Sequence, residues 1–234
     1  MKYDVVIRCK NEMEWLPRVI TSLKKQNLKY TNIIFVDNGS KDGSLEYAVA
    51  QGCKIIHYDR VEYNYSYALN IGIRATTKEH ILILSAHCEL KTEDSVLNMI
   101  QISEKYNAAG VYGRQIPTIN SSPLDTRDLV TTFGREEIVF KSHPFFHNAF
   151  SIIRKSAWER VEFDEGCNGI EDRIWAVEQA KLGQKIVYTP ESLVLHEHGL
   201  NQGGSDVRAR RVCKALEVFH SDDVFEWPIF DKKN

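Results

Sequence analysis

Ile33-Ile34-Phe35-Val36-Asp37-Asn38-Gly39-Ser40-Lys41-Asp42 runs from four apolar, mostly β-branched residues straight into an acidic turn. The apolar run reads as a buried strand that ends on Asp37. Asn38-Gly39-Ser40 is turn chemistry. Ser44 to Ala50 then reads as a helix closed by Gly52. The same alternation extends both ways. Upstream, Val5-Val6-Ile7 is a strand, and Glu14 to Gln26 carries Leu16, Val19, Ile20 and Leu23 at helical spacing. Downstream come a strand at Ile55-Ile56, a helix from Tyr65 to Ala75 and a strand from Ile81 to Leu84 that stops at Ser85. A helix from Glu93 to Tyr106 and a strand from Ala109 to Tyr112 follow. Strands alternating with helices imply an α/β fold with a mostly parallel central sheet and helices on both faces.

After Gln115 the pattern changes. Residues 115–142 hold Pro117, Pro123 and Gly134 among many Ser, Thr and Asp, which predicts a loop-rich insert with one short helix near Thr126 to Phe133. From Ala149 the alternation resumes. A strand to Ile153, a short helix capped by Ser156 and a helix from Ile170 to Leu182 ended by Gly183 are expected. Strands Lys185 to Tyr188 and Leu193 to Leu195 follow, then a helix from Asp206 to Phe219 and a tail carrying Phe225, Trp227 and Phe230. The reading divides the chain at 1–114, 115–204 and 205–234: a first half, a smaller mixed second half, and a C-terminal helix with its tail.

Composition sets bounds. The chain has 234 residues and a formal net charge of −2, so there is no global basic field of the kind that holds nucleic acid. Five scattered cysteines, an odd count with no CxxC pair, argue against a secreted disulfide framework. No apolar run approaches the ~20 residues that span a bilayer, and the N-terminus shows no signal-peptide pattern. The expectation is a reduced, soluble, cytoplasmic protein. Its basic C-terminal helix and aromatic tail either pack on the core or touch a partner chain or the inner membrane face.

In open α/β sheets ligands sit beyond the carboxyl ends of the strands. Arg8, Lys10, Asn11 and Glu12 follow the first strand, Asp37 and Ser40 the second, and Ser85, Ala86 and His87 the fourth. Asp37 suits a base N–H or ribose hydroxyls; it equally suits an Asx-turn that only caps its loop. Arg8 and Lys10 can offset phosphate charge. Glu171-Asp172 opens a predicted helix, where adjacent side chains point about 100° apart, so one of the two is expected to face a site. His196-Glu197-His198 puts two imidazoles on one face of a strand, where they could meet a metal. His147 and Asn148 could line an acceptor side. Trp175 either packs or stacks on a sugar ring.

Taken together, Val5 to Asn11, Ser22-Leu23, Gln26, and Val36 to Asp42 resemble the opening of family 2 glycosyltransferases with the GT-A fold. Ala68-Leu69-Asn70-Ile71-Gly72 is similar to the helix that follows there, and Glu171-Asp172, Gly183, Tyr188, Pro190 and His196 to the C-terminal half. The likeness covers roughly residues 3 to 200. It implies an inverting transfer from a nucleotide sugar (UDP-, dTDP-, GDP- or CMP-linked) to a glycan or lipid-linked acceptor, as in bacterial surface-polysaccharide assembly. It also implies Asp172 as the general base, with Glu171 then holding the loop or binding the acceptor; His147, Asn148 and Trp175, by the residue reading above, are expected on that acceptor side. Arg8, Asn11, Glu12, Asp37, Ser40, Asn70 and residues 85–87 would lie toward the donor.

The resemblance further implies a divalent metal, Mn or Mg, on the diphosphate. Here the chain departs from it: the Asp-x-Asp signature is replaced by Ser85-Ala86-His87. Three readings stay open. His87 ligates a softer metal together with His196, His87 meets the phosphate itself, or activity has been lost. Two other function classes are a nucleotidyltransferase, against which the glycine-free Arg8-Cys9-Lys10-Asn11 counts, and a non-catalytic nucleotide-sugar-binding subunit.

Overall fold

A computed structural model describes residues 1–199 except 59, 61, 141 and 168, together with residues 206, 209, 210 and 213. One nine-stranded sheet runs through it, in the order β3-β2-β1-β4-β8-β6-β9-β5 with β7 added on β9. The first half follows the expected alternation: β1 (Tyr3–Cys9), α1 (Leu16–Lys24), β2 (Ile33–Asp37), α2 (Ser44–Ala50), β3 (Lys54–His57), α3 (Tyr65–Arg74) and β4 (His80–Ser85). β1 pairs parallel with β2 and β4, and β2 with β3, so residues 8–12, 37–40 and 85–87 leave one edge of the sheet together. Asp4, an acidic residue inside the first strand, is fully buried. Its carboxylate accepts the Thr77 and Lys78 N–H groups (2.6 and 3.1 Å) and the Asn32 amide (2.8 Å), which ties the entry of β4 to β1.

Alternate residues of β1 enter two cores. Tyr3, Val5 and Ile7 join Leu16, Ile20 and Met99, while Val6 joins Leu69, Ile73 and Trp175. Gly72 lets α3 press onto the sheet, since a Cβ there would stand 2.7 Å from Val6 Cγ1.

The second half is mixed. β5 (Cys88–Leu90), α4 (Ser95–Tyr106), β6 (Ala108–Ile116), α5 (Pro123–Thr132), β7 (Ile138–Phe140), β8 (Phe150–Arg154), α6 (Lys155–Arg160), α7 (Glu171–Lys181) and β9 (Lys185–His196) complete the order. β8 runs antiparallel to both β4 and β6, whereas β6 and β9 are parallel. Strands β5 and β7 went unread in the sequence because each is only three residues long. The expected break at Pro190 is absent. β9 continues through it, and the register jumps from Gly113↔Thr189 to Arg114↔Leu193, so residues 190–192 bulge out of the ladder. Ser156 does not cap its helix: α6 has Arg154 at that position, with no side-chain cap, and the Ser156 hydroxyl turns to Glu79. The 114/115 division falls inside β6. Asp206, Ala209, Arg210 and Cys213 are helical; the remainder of the expected last helix, and the tail, lie outside the described residues.

Candidate active site

The carboxyl ends of β1 and β4 face the N-terminus of α7 across a cavity of about 300 Å³. Arg8, Lys10 and Glu12 line it from β1, Ser85 to His87 from β4, and Tyr63 and Tyr65 from the segment leading into α3. His147 to Ala149, Gly169 to Arg173, and His196 with Gly199 close the opposite side.

Both carboxylates of the Glu171-Asp172 pair line the cavity, which corrects the expectation that only one would. They occupy the first turn of α7, whose open end faces the cavity, so a 100° rotation still leaves both at its mouth. Asp172 is held from two sides. Its Oδ2 accepts the Asn148 N–H (3.0 Å) and its Oδ1 the Arg173 N–H (2.9 Å). Glu171 is 4% exposed, and its Oε2 accepts the Gly169 N–H at 3.2 Å. Burial, then the neighbouring Asp172, pushes its carboxyl up to about 7, against the opposing pull of Arg8.

Arg8 Nη1 stands 3.9 Å from Glu171 Oε1, beyond hydrogen-bond reach, and is buried with no hydrogen-bond partner. Its guanidinium lies 4.8 Å from the centre of the Tyr65 ring. Burial works against its charge, but Tyr63, Glu171, Tyr65 and Asp172 outweigh that and raise its pKa.

A histidine cluster forms the rest. Cys88 pairs with His196 across β5 and β9, and this brings the His87 and His196 rings to 5.1 Å, stacked with 11° between planes. His198 meets both edge-on. His87 Nδ1 is 3.1 Å from Glu12 Oε1. His196 Nδ1 is 2.7 Å from Gln115 Oε1, and Gln115 Nε2 is 2.8 Å from His147 Nδ1. A buried glutamine on β6 therefore links the two imidazoles, and a carbonyl oxygen that only accepts sets a proton on His196 Nδ1.

A metal shared by His87 and His196 does not fit this arrangement. An imidazole ligates through a lone pair in its ring plane, about 2.0–2.1 Å from the ion. Here the Nδ1 atoms of both rings already face protein oxygens, Glu12 Oε1 and Gln115 Oε1. Among the described residues no group of three or more His, Cys, Asp or Glu is arranged to hold a metal ion.

Five residues expected in the site are not in the cavity lining. Asp37 is 2% exposed and caps its own loop, accepting the Gly39 N–H at 2.9 Å and the Ser40 N–H at 3.2 Å. Asn11 and Ser40 clasp the two loops to each other, through Ser40 Oγ to the Asn11 N–H and Asn11 Oδ1 to the Lys41 N–H. Asn70 is 1% exposed, and its side chain fastens α3 to Phe163 and to the Trp158 indole. Trp175 is 1% exposed among Phe146 and Phe163, with its indole N–H on the Val161 carbonyl, so it packs in the core. Conversely, Tyr63, Tyr65, Gln115 and Arg173 were missed. The dense aromatic run Tyr63-Asn64-Tyr65 was the available signal for the first two; a lone Gln and a helical Arg gave none.

The profile of glycosyl transferase family 2 matches residues 4–161, more than half of the chain. The protein belongs to glycosyltransferase family 2. The family 2 chain is 25% identical over 210 residues to the O-antigen chain rhamnosyltransferase RfbN of Salmonella typhimurium, covering 85% of this chain and 67% of that one. It is 37% identical over 220 residues to a TPR repeat-containing protein of Synechococcus elongatus, covering 92% of this chain but 48% of the relative. In fold it is similar to a mannosyltransferase of Pyrobaculum calidifontis solved with GDP-Man and Mn²⁺ (TM-score 0.70, 16% identity, 97% of this chain and 65% of that one). It is also similar to S. aureus TarS solved with UDP-GlcNAc (TM-score 0.66, 12% identity, 97% and 68%). The family 2 chain thus has the GT-A architecture of these enzymes. It spans about half to two thirds of the length of these relatives.

Proposed function

We propose that this chain is an inverting glycosyltransferase that moves a sugar from a nucleotide-sugar donor to a hydroxyl of a glycan or lipid-linked acceptor in bacterial surface-polysaccharide synthesis. One observation carries the reading: Asp172 is fixed by two backbone N–H groups at the mouth of the cavity, opposite a buried arginine whose Nη1 lacks a hydrogen-bond partner. In the reaction the acceptor oxygen attacks the anomeric carbon and loses its proton to Asp172. The bond from that carbon to the donor phosphate breaks, and the bonding pair leaves with the nucleotide. The nucleoside lies toward the β1–β2 end. There the Asp37-capped loop holds its shape, and Tyr63 and Tyr65 line the cavity.

His147 and Asn148 border the acceptor side. No helix among the described residues is long and apolar enough to cross a membrane, and the reading places the enzyme in the cytoplasm, where nucleotide sugars are made. The O-antigen rhamnosyltransferase relatives support this class of product. A panel of UDP-, dTDP-, GDP- and CMP-sugars, scored by nucleotide release with and without acceptor glycan, tests it. Release from one donor that is lost in Asp172→Asn supports the reading, and release unchanged in that variant sinks Asp172 as the base.

A further inference from the structure

We propose that the phosphate end of this site operates without a divalent metal, and that Arg8 and the imidazole of His87 meet the phosphate charge which a bridging cation would otherwise neutralise. The inference rests on the nucleotide-sugar reading above. Three observations lead to it. First, the carboxylates that line the cavity are already committed. Glu12 faces His87 Nδ1, Glu171 accepts the Gly169 N–H, and Asp172 accepts two backbone N–H groups. Second, His87 Nδ1 already faces Glu12 Oε1 and His196 Nδ1 faces Gln115 Oε1, and among the described residues no group of three or more His, Cys, Asp or Glu is arranged to hold an ion. Third, Arg8 Nη1 is buried without a hydrogen-bond partner.

A charged donor left without an acceptor is costly, and the arrangement is explained if the bound ligand supplies one. A phosphate oxygen is such an acceptor, and a guanidinium fork matches it. Glu12 accepts on one side of His87 and so holds the ring in place. When the bond to the anomeric carbon breaks, the electron pair goes to the departing phosphate oxygen, and its charge falls on Arg8 and His87.

The test is calorimetric titration of UDP, dTDP, GDP and CMP into the full chain, once in EDTA and once with Mn²⁺. For the nucleotide that binds, affinity in the two buffers should agree within about threefold, while His87→Ala, at a partly exposed position, should weaken binding in EDTA about tenfold or more. Arg8→Gln, checked for folding by circular dichroism, should do the same. Binding that requires Mn²⁺, or that His87→Ala leaves unchanged in EDTA, overturns the metal-free site while the transferase reading stands. If none of the four nucleotides binds in either buffer, the nucleotide-sugar reading fails and this inference falls with it.

Discussion

Replacing Glu171 by Gln should make the protein more stable in alkali and leave it nearly unchanged in acid. Glu171 is almost fully buried, and that burial, with Asp172 beside it, pushes its carboxyl up to about 7 from the ordinary 4.5. A raised folded-state pKa means that the folded chain holds the proton more tightly than the unfolded one. The associated stability is complete below pH 4.5 and is lost as pH rises through about 7. At about 1.4 kcal/mol per tenfold difference in proton affinity, the ionised carboxylate costs the fold about 3 kcal/mol well above pH 7, of which about 2 kcal/mol develops between pH 5.5 and 8.5. Gln keeps the shape and an acceptor for the Gly169 N–H without the charge. Urea unfolding of both proteins at those two pH values isolates the Glu171–Asp172 pair, because the titrations of remote groups cancel in the difference. The variant's advantage should grow by about 2 kcal/mol from the lower pH to the higher. A difference that is flat with pH, or that favours the wild type at pH 8.5, would refute the view that burial and Asp172 hold a proton on Glu171.

Other substitutions separate chemistry from framework. Asp172→Asn should lower transfer about 10²–10⁴-fold, the usual contribution of a positioned base, with little change in nucleotide affinity by calorimetry. Asn70→Ala should cost about 1–3 kcal/mol in chemical denaturation, because it strands the Trp158 indole N–H and the Phe163 backbone groups; nucleotide affinity should hold, and a selective loss of affinity would return Asn70 to the donor site. Trp175→Ala should destabilise by about 3–5 kcal/mol. A fully stable Trp175→Ala variant with an altered acceptor KM would show that the indole reaches a ligand after all. Gln115→Leu removes the link between His147 and His196 and should change the pH profile of transfer more than it changes Tm.

Much of the fold was legible because its first half is built from local signals. β-branched runs ending on polar residues gave β1, β2 and β4, and helical spacing gave α1, α3 and α4 within a few residues. What escaped depends on partners distant in sequence. β5 exists because Cys88 to Leu90 meets Val194 to His196, and β9 survives Pro190 because residues 190–192 bulge out while β6 pairs on both sides of them. The site shows the same division. Residues at strand ends, such as Arg8 and His87, could be placed from topology. Asn70 and Trp175 looked functional by motif or spacing, but their surroundings make them structural. Asp37 illustrates the limit: a strand-end carboxylate can serve a ligand or its own turn, and the geometry of residues 37–40 shows that it caps the turn.

The structure of the protein with a bound nucleoside diphosphate would put the whole proposal to proof at once. The account places the phosphates within hydrogen-bond reach of Arg8 and His87, with Asp172 facing the open side from which an acceptor would come. Phosphates seated on another face, or a nucleotide whose terminal oxygen points away from Asp172, would contradict it.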